Sequence, residues 1–236
     1  MTARISRREF VEGSAWSVAG WSLLRPSGLG GGGTHAAAGS DCAVLDLGVD
    51  CSLRESLRGF QKALGTNPIN VQEIWNRRPC SLTVVPSVAR MDSRLARILL
   101  DLLEAGTSVL VESGAGFSSA REFGVHREML NNAFGIGLQS PVDVWSRLAD
   151  GTTPACTPYV EYDWPCRTLV RDFSRVIPVV AERSDVIAWT GLLAVAMKKR
   201  VGKGTLVFLG SPLGPALLAG DPEAREWVRS VVTACA

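Results

Sequence analysis

Residues 95–116, LARILLDLLEAGTSVLVESGAG, leave the chain few ways to fold. Leu95, Ile98, Leu99, Leu102 and Leu103 recur at the spacing that lays one wide apolar stripe along an α-helix. Asp92 or Ser93 is placed to cap its N-terminus by accepting an orphan backbone N–H. Gly106 stands where a helix stop takes a left-handed residue. Residues 107–111 are β-branched and apolar without alternation, as in a strand covered on both faces. Glu112, Ser113, Gly114, Ala115 and Gly116 then read as a Gly-rich turn, and Ser119 with Glu122 forms a capping box for the next helix. This is one helix–strand step of an open α/β sheet, a fold that binds its ligands past the carboxyl ends of the strands.

The rest of the chain extends that pattern. Residues 43–49 form a first apolar strand, broken by Asp46, with Asp50 in the turn after it. Ser52 and Glu55 cap a helix whose stripe is Leu53, Leu57, Phe60 and Leu64, stopped by Gly65. Residues 69–74 read as a second strand, and residues 82–85 as a third that ends at Pro86. Residues 119–134 are helical. Residues 135–175 are rich in Gly, Pro and Thr and read as an irregular insertion, with short strands at 142–145 and 159–164. Residues 176–180 and 186–189 are strand-like. Residues 192–201 and 205–209 form a hairpin about Gly202-Lys203-Gly204. Asp221-Pro222 opens the last helix, with Pro at its first position and Ala224, Trp227, Val228, Val231 and Val232 on its apolar face. The fold class is therefore α/β: a flavodoxin-like open, mostly parallel sheet with helices on both faces and a C-terminal antiparallel hairpin.

The order of these elements resembles the class I glutamine amidotransferase-like superfamily. The motifs are V-V-P-S at 84–87, E-A-G-T-S-V-L-V-E-S-G-A-G-F at 104–117 and V-G-K-G-T-L-V-F-L-G-S-P at 201–212. The likeness runs from about Ala43 to Ala234. It is nearest the branch with trehalose-utilisation-type proteins and the trimerisation domains of β-galactosidases. The superfamily's glutaminases place a nucleophilic Cys in the strand-to-helix elbow, and a His and a Glu after the late strand. Here the elbow reads Glu112-Ser113-Gly114-Ala115-Gly116, and the late strand is followed by Gly210-Ser211-Pro212-Leu213. A glutaminase needs a thiolate and a base to generate it; both are missing.

The candidate chemistry is correspondingly spare. Glu112 and Ser113 are the candidate catalytic pair, a carboxylate whose pKa burial would raise and a hydroxyl in a turn of the right type. Ser113 lacks the full G-x-S-x-G pattern. His126 is the one histidine after residue 38, and its helical register sets it among Met129, Leu130 and Ala133, the position of a core histidine. Asp50, Ser87, Gly114, Gly116 and Ser211 fall just past strand ends and are candidate ligand-binding residues. Tyr159, Glu161, Tyr162, Asp163 and Trp164, followed by Arg167, Arg171 and Arg175, suit contacts to carbohydrate or peptide, or an ion-paired strand. The six cysteines show no C-x-x-C and no Cys/His cluster, so neither a zinc site nor a cofactor is expected. Their pairing is open; Cys156 and Cys166, which flank one short segment, are the first candidate pair.

Charge and the N-terminus bound the setting. Residues 1–38 hold Arg4, Arg7, Arg8 and Arg25 against Glu9 and Glu12; the remaining 21 basic and 21 acidic residues balance. A neutral body argues against a nucleic-acid or membrane-surface footprint. Ser6-Arg7-Arg8-Glu9-Phe10-Val11 resembles a twin-arginine export signal, followed by a mildly apolar stretch and an A-x-A site at residues 36–38. No stretch is long enough for a membrane span. Residues 1–38 are thus expected to be signal and linker, and residues 39–236 one domain, periplasmic or extracellular, or cytoplasmic if the signal is not used. The leading expectation is a non-glutaminase binding, assembly or accessory module whose partner is a small molecule, a glycan or a protein. The alternative is a hydrolase acting on a glycan or peptide-like substrate through Glu112 and Ser113.

Overall fold

The computed structural model describes residues 42–48, 54–76, 80–114, 117, 119–144, 158–172 and 175–236. The elements are β1 (Cys42–Asp46), α1 (Arg54–Leu64), β2 (Ile69–Asn70), a 3-10 turn (Val71–Asn76), β3 (Leu82–Val88), α2 (Ser93–Ala105), β4 (Ser108–Ser113) and α3 (Ala120–Phe134). Six strands follow: β5 (Gly137–Leu138), β6 (Val142–Asp143), β7 (Tyr159–Tyr162), β8 (Thr168–Arg171), β9 (Arg175–Val176) and β10 (Val179–Val180). Then come β11 (Val186–Thr190), β12 (Leu193–Val201), β13 (Gly204–Leu209), α4 (Gly214–Ala219) and α5 (Pro222–Cys235).

Nine strands form one sheet in the order β2-β1-β3-β4-β13-β12-β11-β7-β8. The strands from β2 to β13 run parallel, and those from β12 to β8 add an antiparallel arm. Side chains alternate across a strand, and β4 shows the result. Val109 and Val111 pack into one core with Leu99 and Leu103 of α2 and Leu130 of α3. Leu110 packs into the other with Phe60 of α1, Leu217 of α4 and Trp227 of α5. Covering both faces removes β4 from water entirely, which is why residues 107–111 read as apolar without alternation.

The local signals are met where they rest on neighbouring residues. Asp92 is the cap of α2, accepting from Leu95 N–H at 2.8 Å, and Gly106 ends the helix at φ 105°. Ser119 accepts from Glu122 N–H, and Asp221 caps α5 through Ala224 N–H. Ser52, the proposed cap of α1, lies outside the described residues. All five apolar stripe residues of α2 are buried, each worth on the order of 2 kcal/mol against exposure.

Several boundaries differ. The second strand stops after Asn70, because the Asn70 side chain accepts from Gln72 N–H and turns the chain into the 3-10 segment. Strand β3 runs through Pro86 to Val88, with one extra residue bulged out between Val85 and Val88 opposite β4. Pro86 has no N–H to lose from the ladder, so the bulge tolerates it. Strand β4 continues through Glu112 and Ser113, so these are strand residues, not turn residues. Residues 176–180 split into β9 and β10 around Pro178. Within residues 135–175, β7 and β8 join the main sheet as its far edge.

Helix α4 has no counterpart in the sequence reading. It meets α1 at backbone distance, through Ser56 and Gly59 of α1 and Gly214 of α4. A Cβ on Gly59 would lie 2.0 Å from Gly214 O, and one on Gly214 would lie 2.2 Å from the Ser56 Cα. This contact turns α1, so that Ser56, Gly59 and Phe60 are buried while Leu57 and Leu64 are only partly so. Gly59→Ala should therefore force the helices apart and lower stability by about 1–3 kcal/mol in urea unfolding. Gly124→Ala in α3, where a Cβ meets nothing within 4 Å, should instead be neutral or stabilise by roughly 0.5–1 kcal/mol.

Candidate functional site

Glu112 is fully buried, and its carboxylate is held by backbone. Ser87 N–H donates to Oε2 at 2.8 Å, and Gly214 N–H donates to Oε1 at 2.7 Å. The first bond holds the bulge of β3, where Ser87 sits at φ 44°, a left-handed conformation that costs a non-glycine residue energy. The second supplies the cap that α4 lacks from its own sequence, since Leu213 makes no side-chain cap. Leu213 N–H also favours the charged form, and so does the Ser56 hydroxyl, although that hydroxyl is not aligned for a hydrogen bond. Burial outweighs these bonds and raises the carboxyl pKa from 4.5 to about 7.

Ser113, the next residue, leaves the sheet on the opposite face, toward α3. Its Oγ lies 2.9 Å from His126 Nε2, and Met91 N–H donates to His126 Nδ1 at 3.3 Å. Nδ1 therefore offers its lone pair to Met91, and the proton of the neutral ring is on Nε2, donated to Ser113. A general base needs the reverse: a lone pair facing the hydroxyl. Burial pushes the His126 pKa down to about 4, which keeps the ring neutral. The sequence position of His126 on an apolar face is met, and the pairing with Ser113 is a structural bond between two buried groups.

Ser87, Glu112, Ser113 and Ser211 all lie at the carboxyl ends of β3, β4 and β13, and all four are buried. They divide between the two faces of the sheet, so Glu112 and Ser113 do not present an acid and a nucleophile to one substrate. Gly114 N–H donates to Val88 O at 2.8 Å, and a Cβ there would press on Ser87 O at 3.1 Å; its smallness serves the close approach of β4 to the bulge. Asp50 and Gly116 lie outside the described residues. Ser211 donates to Asp172 Oδ2 at 2.5 Å. The Tyr162 phenol shares this pocket of buried polar groups. Burial first, then the Asp172 and Glu112 carboxylates, push its pKa up, so it stays neutral. The sequence sets Tyr162, and Asp172 interleaved with the arginines, in a contact surface; both are instead buried. Of that surface, Glu161 pairs with Arg167 and Arg171 lies over the Tyr159 ring at 5.9 Å.

Among the described residues no cluster of three His, Cys, Asp or Glu side chains is placed to hold a metal. Cys80, Cys166 and Cys235 are free thiols, while Cys51 and Cys156 lie outside the described residues. No helix among the described residues is long and apolar enough to cross a membrane. An open cavity of about 340 Å3 does exist on the carboxyl side of the sheet, but beside β1 and β2. It is lined by Asp46, Asn70, Arg90, Asp92 and Arg94 among others. The interrupting Asp46 was the one sequence signal that pointed toward it.

No family model matches the sequence, and no curated protein matches it. Solved structures do share its fold. One is the β-galactosidase from Bacillus circulans sp. alkalophilus, with TM-score 0.53 and 13% identity, covering 81% of this chain and 31% of that one. A catalytic mutant of Gan42B, a GH42 β-galactosidase from G. stearothermophilus, gives TM-score 0.53 and 13% identity, over 83% of this chain and 30% of that one. The cytoplasmic protein STM1381 from Salmonella typhimurium LT2 gives TM-score 0.52 and 10% identity, over 82% of this chain and 98% of that one. The chain thus spans about a third of the length of these β-galactosidases and nearly all of STM1381.

The two buried titrations act in opposite senses. The Glu112 pKa is higher in the folded state than unfolded, so its contribution to stability is complete below about 4.5 and falls away as pH rises through 7. The His126 pKa is lower in the folded state, so its contribution is complete above about 6.5 and falls away as pH drops toward 4. In wild type the slopes offset between these limits. Glu112→Gln should lose stability at pH 7, on the order of 2 kcal/mol, because an amide N–H would face one of two backbone N–H donors. It should also expose the histidine slope, with urea midpoints rising from pH 4.5 to 6.5. A variant whose profile stays as flat as wild type would contradict this assignment.

Proposed function

We propose that this chain is a non-catalytic assembly or accessory domain, and that its working contacts are with a protein partner, a second copy included. The observation that carries this reading is the engagement of the would-be catalytic groups: Glu112 is bonded to two backbone N–H groups, and Ser113 accepts from a histidine whose lone pair is turned away. A hydroxyl without a base and a carboxylate without solvent access give hydrolysis no starting point. The shared fold adds support. It occupies about a third of β-galactosidases, the proportion of one domain in a larger enzyme. The resemblance of residues 201–212 to the trimerisation-type branch agrees with an assembly role. A glycan or other small ligand fits the same reading as an accessory contact.

The purified protein should release no nitrophenol from nitrophenyl glycosides and no ammonia from glutamine. Turnover that Ser113→Ala or Glu112→Gln abolishes would overturn the reading. Light scattering should find a defined oligomer or, in extracts of its host, a complex with another protein.

Export through the twin-arginine route belongs to the same proposal and rests on Arg7-Arg8 and Ala36-Ala37-Ala38. Changing Arg7 and Arg8 to Lys should trap the protein in the cytoplasm, read by fractionation. Export that persists, or a mature N-terminus still at Met1 or Thr2, would count against it.

A further inference from the structure

The 340 Å3 cavity beside β1 and β2 carries an unusual distribution of charge. Its lining holds two carboxylates, Asp46 and Asp92, and two guanidiniums, Arg90 and Arg94, all on exposed residues. Opposite charges in one small recess ordinarily find each other. Yet no ion pair among the described residues joins any of these four. The carboxylates are tied instead to their own loops. Asp46 Oδ1 accepts from Gly48 N–H at 2.8 Å, and Asp92 Oδ1 accepts from Leu95 N–H at 2.8 Å. Each is held in place through one oxygen, and among the described residues no ion pair engages the guanidinium of Arg90 or Arg94. Asn70 likewise uses its Oδ1 on Gln72 N–H and keeps its NH2 donors. Leu47, Val71 and Leu95 supply the apolar part of the lining.

The recess lies at the carboxyl ends of β1 and β2 and beside the first turn of α2. Strand β1 is flanked by β2 on one side and by β3 on the other. The loops leaving β1 and β3 therefore diverge, which opens a crevice at this point of a parallel sheet. The described lining carries two charges of each sign, so it does not favour a simple anion or cation. What it matches is a small molecule that carries both signs at once. Arginine forks take a carboxylate in a two-point hydrogen-bonded pair, and carboxylate oxygens accept from an ammonium. The volume lies within the range of small-molecule sites.

We propose that this cavity binds a small zwitterion, an α-amino acid or short peptide, with its carboxylate at Arg90 and Arg94 and its ammonium at Asp46 and Asp92. The site is separate from the buried Glu112 cluster and does not depend on whether the domain assembles. The test is calorimetric titration of the full chain with the common L-amino acids and glycylglycine. The amide and N-acetyl forms of whichever binds, together with glucose and galactose, serve as comparators. One zwitterion should bind at one equivalent. Its amide and N-acetyl forms should each bind at least about tenfold more weakly, a loss of about 1.4 kcal/mol. Arg94→Ala and Asp46→Asn, both at exposed positions outside the core, should weaken it comparably while leaving thermal unfolding of the unliganded protein unchanged. No heat with any zwitterion at millimolar concentration would overturn the assignment. So would equal binding of the charge-blocked forms, or binding of a neutral sugar that the two variants leave unaltered.

Discussion

The carboxylate of Glu112 is the fastening on which this end of the fold depends. One oxygen holds the bulge of β3 through Ser87, and the other caps α4 through Gly214. The bulge would otherwise carry a left-handed serine with a buried, unpaired N–H. The helix would begin with orphan donors and only Leu213 before it. A single acceptor group answers both needs, because a carboxylate has two oxygens with lone pairs on opposite sides. The same arrangement fixes the approach of α4 to α1, where Gly59 and Gly214 leave no room for a side chain.

Burial sets the chemistry of the sheet's carboxyl edge. Glu112, Tyr162 and His126 are each shifted toward their neutral forms, with desolvation the largest cause in every case. Such shifts often mark active sites, and here they fall on side chains buried beneath the edge. The alternation of β4 divides Glu112 and Ser113 between two cores. A mechanism that needs both at one reacting atom has no place to run. An open cavity on this edge is lined by exposed side chains around β1, β2 and the start of α2.

An edge closed in this way is compatible with the architecture. The sheet rests on its two apolar cores, one on each face, so residues at the strand ends can vary without loss of the architecture.

What the sequence determined is whatever is encoded within a few residues. The stripe of α2, its Asp92 cap and Gly106 stop, the doubly buried β4, the hairpin at Gly202 and the Asp221-Pro222 start of α5 all follow from local periodicity and capping, and all are present. The sequence also gave up His126 as a core residue from its helical register. What tertiary structure alone decided involves partners far apart in the chain. Helix α4 carries no local cap signal because its cap is Glu112, 102 residues away. Strand β3 outran Pro86 because a neighbouring strand accepts a bulge there. Asp172 gained its place through Ser211, and the Asp46 and Arg90 side chains share a cavity only because parallel strands bring their loops to one edge. Local pattern specifies which face a residue occupies; packing specifies what it meets there.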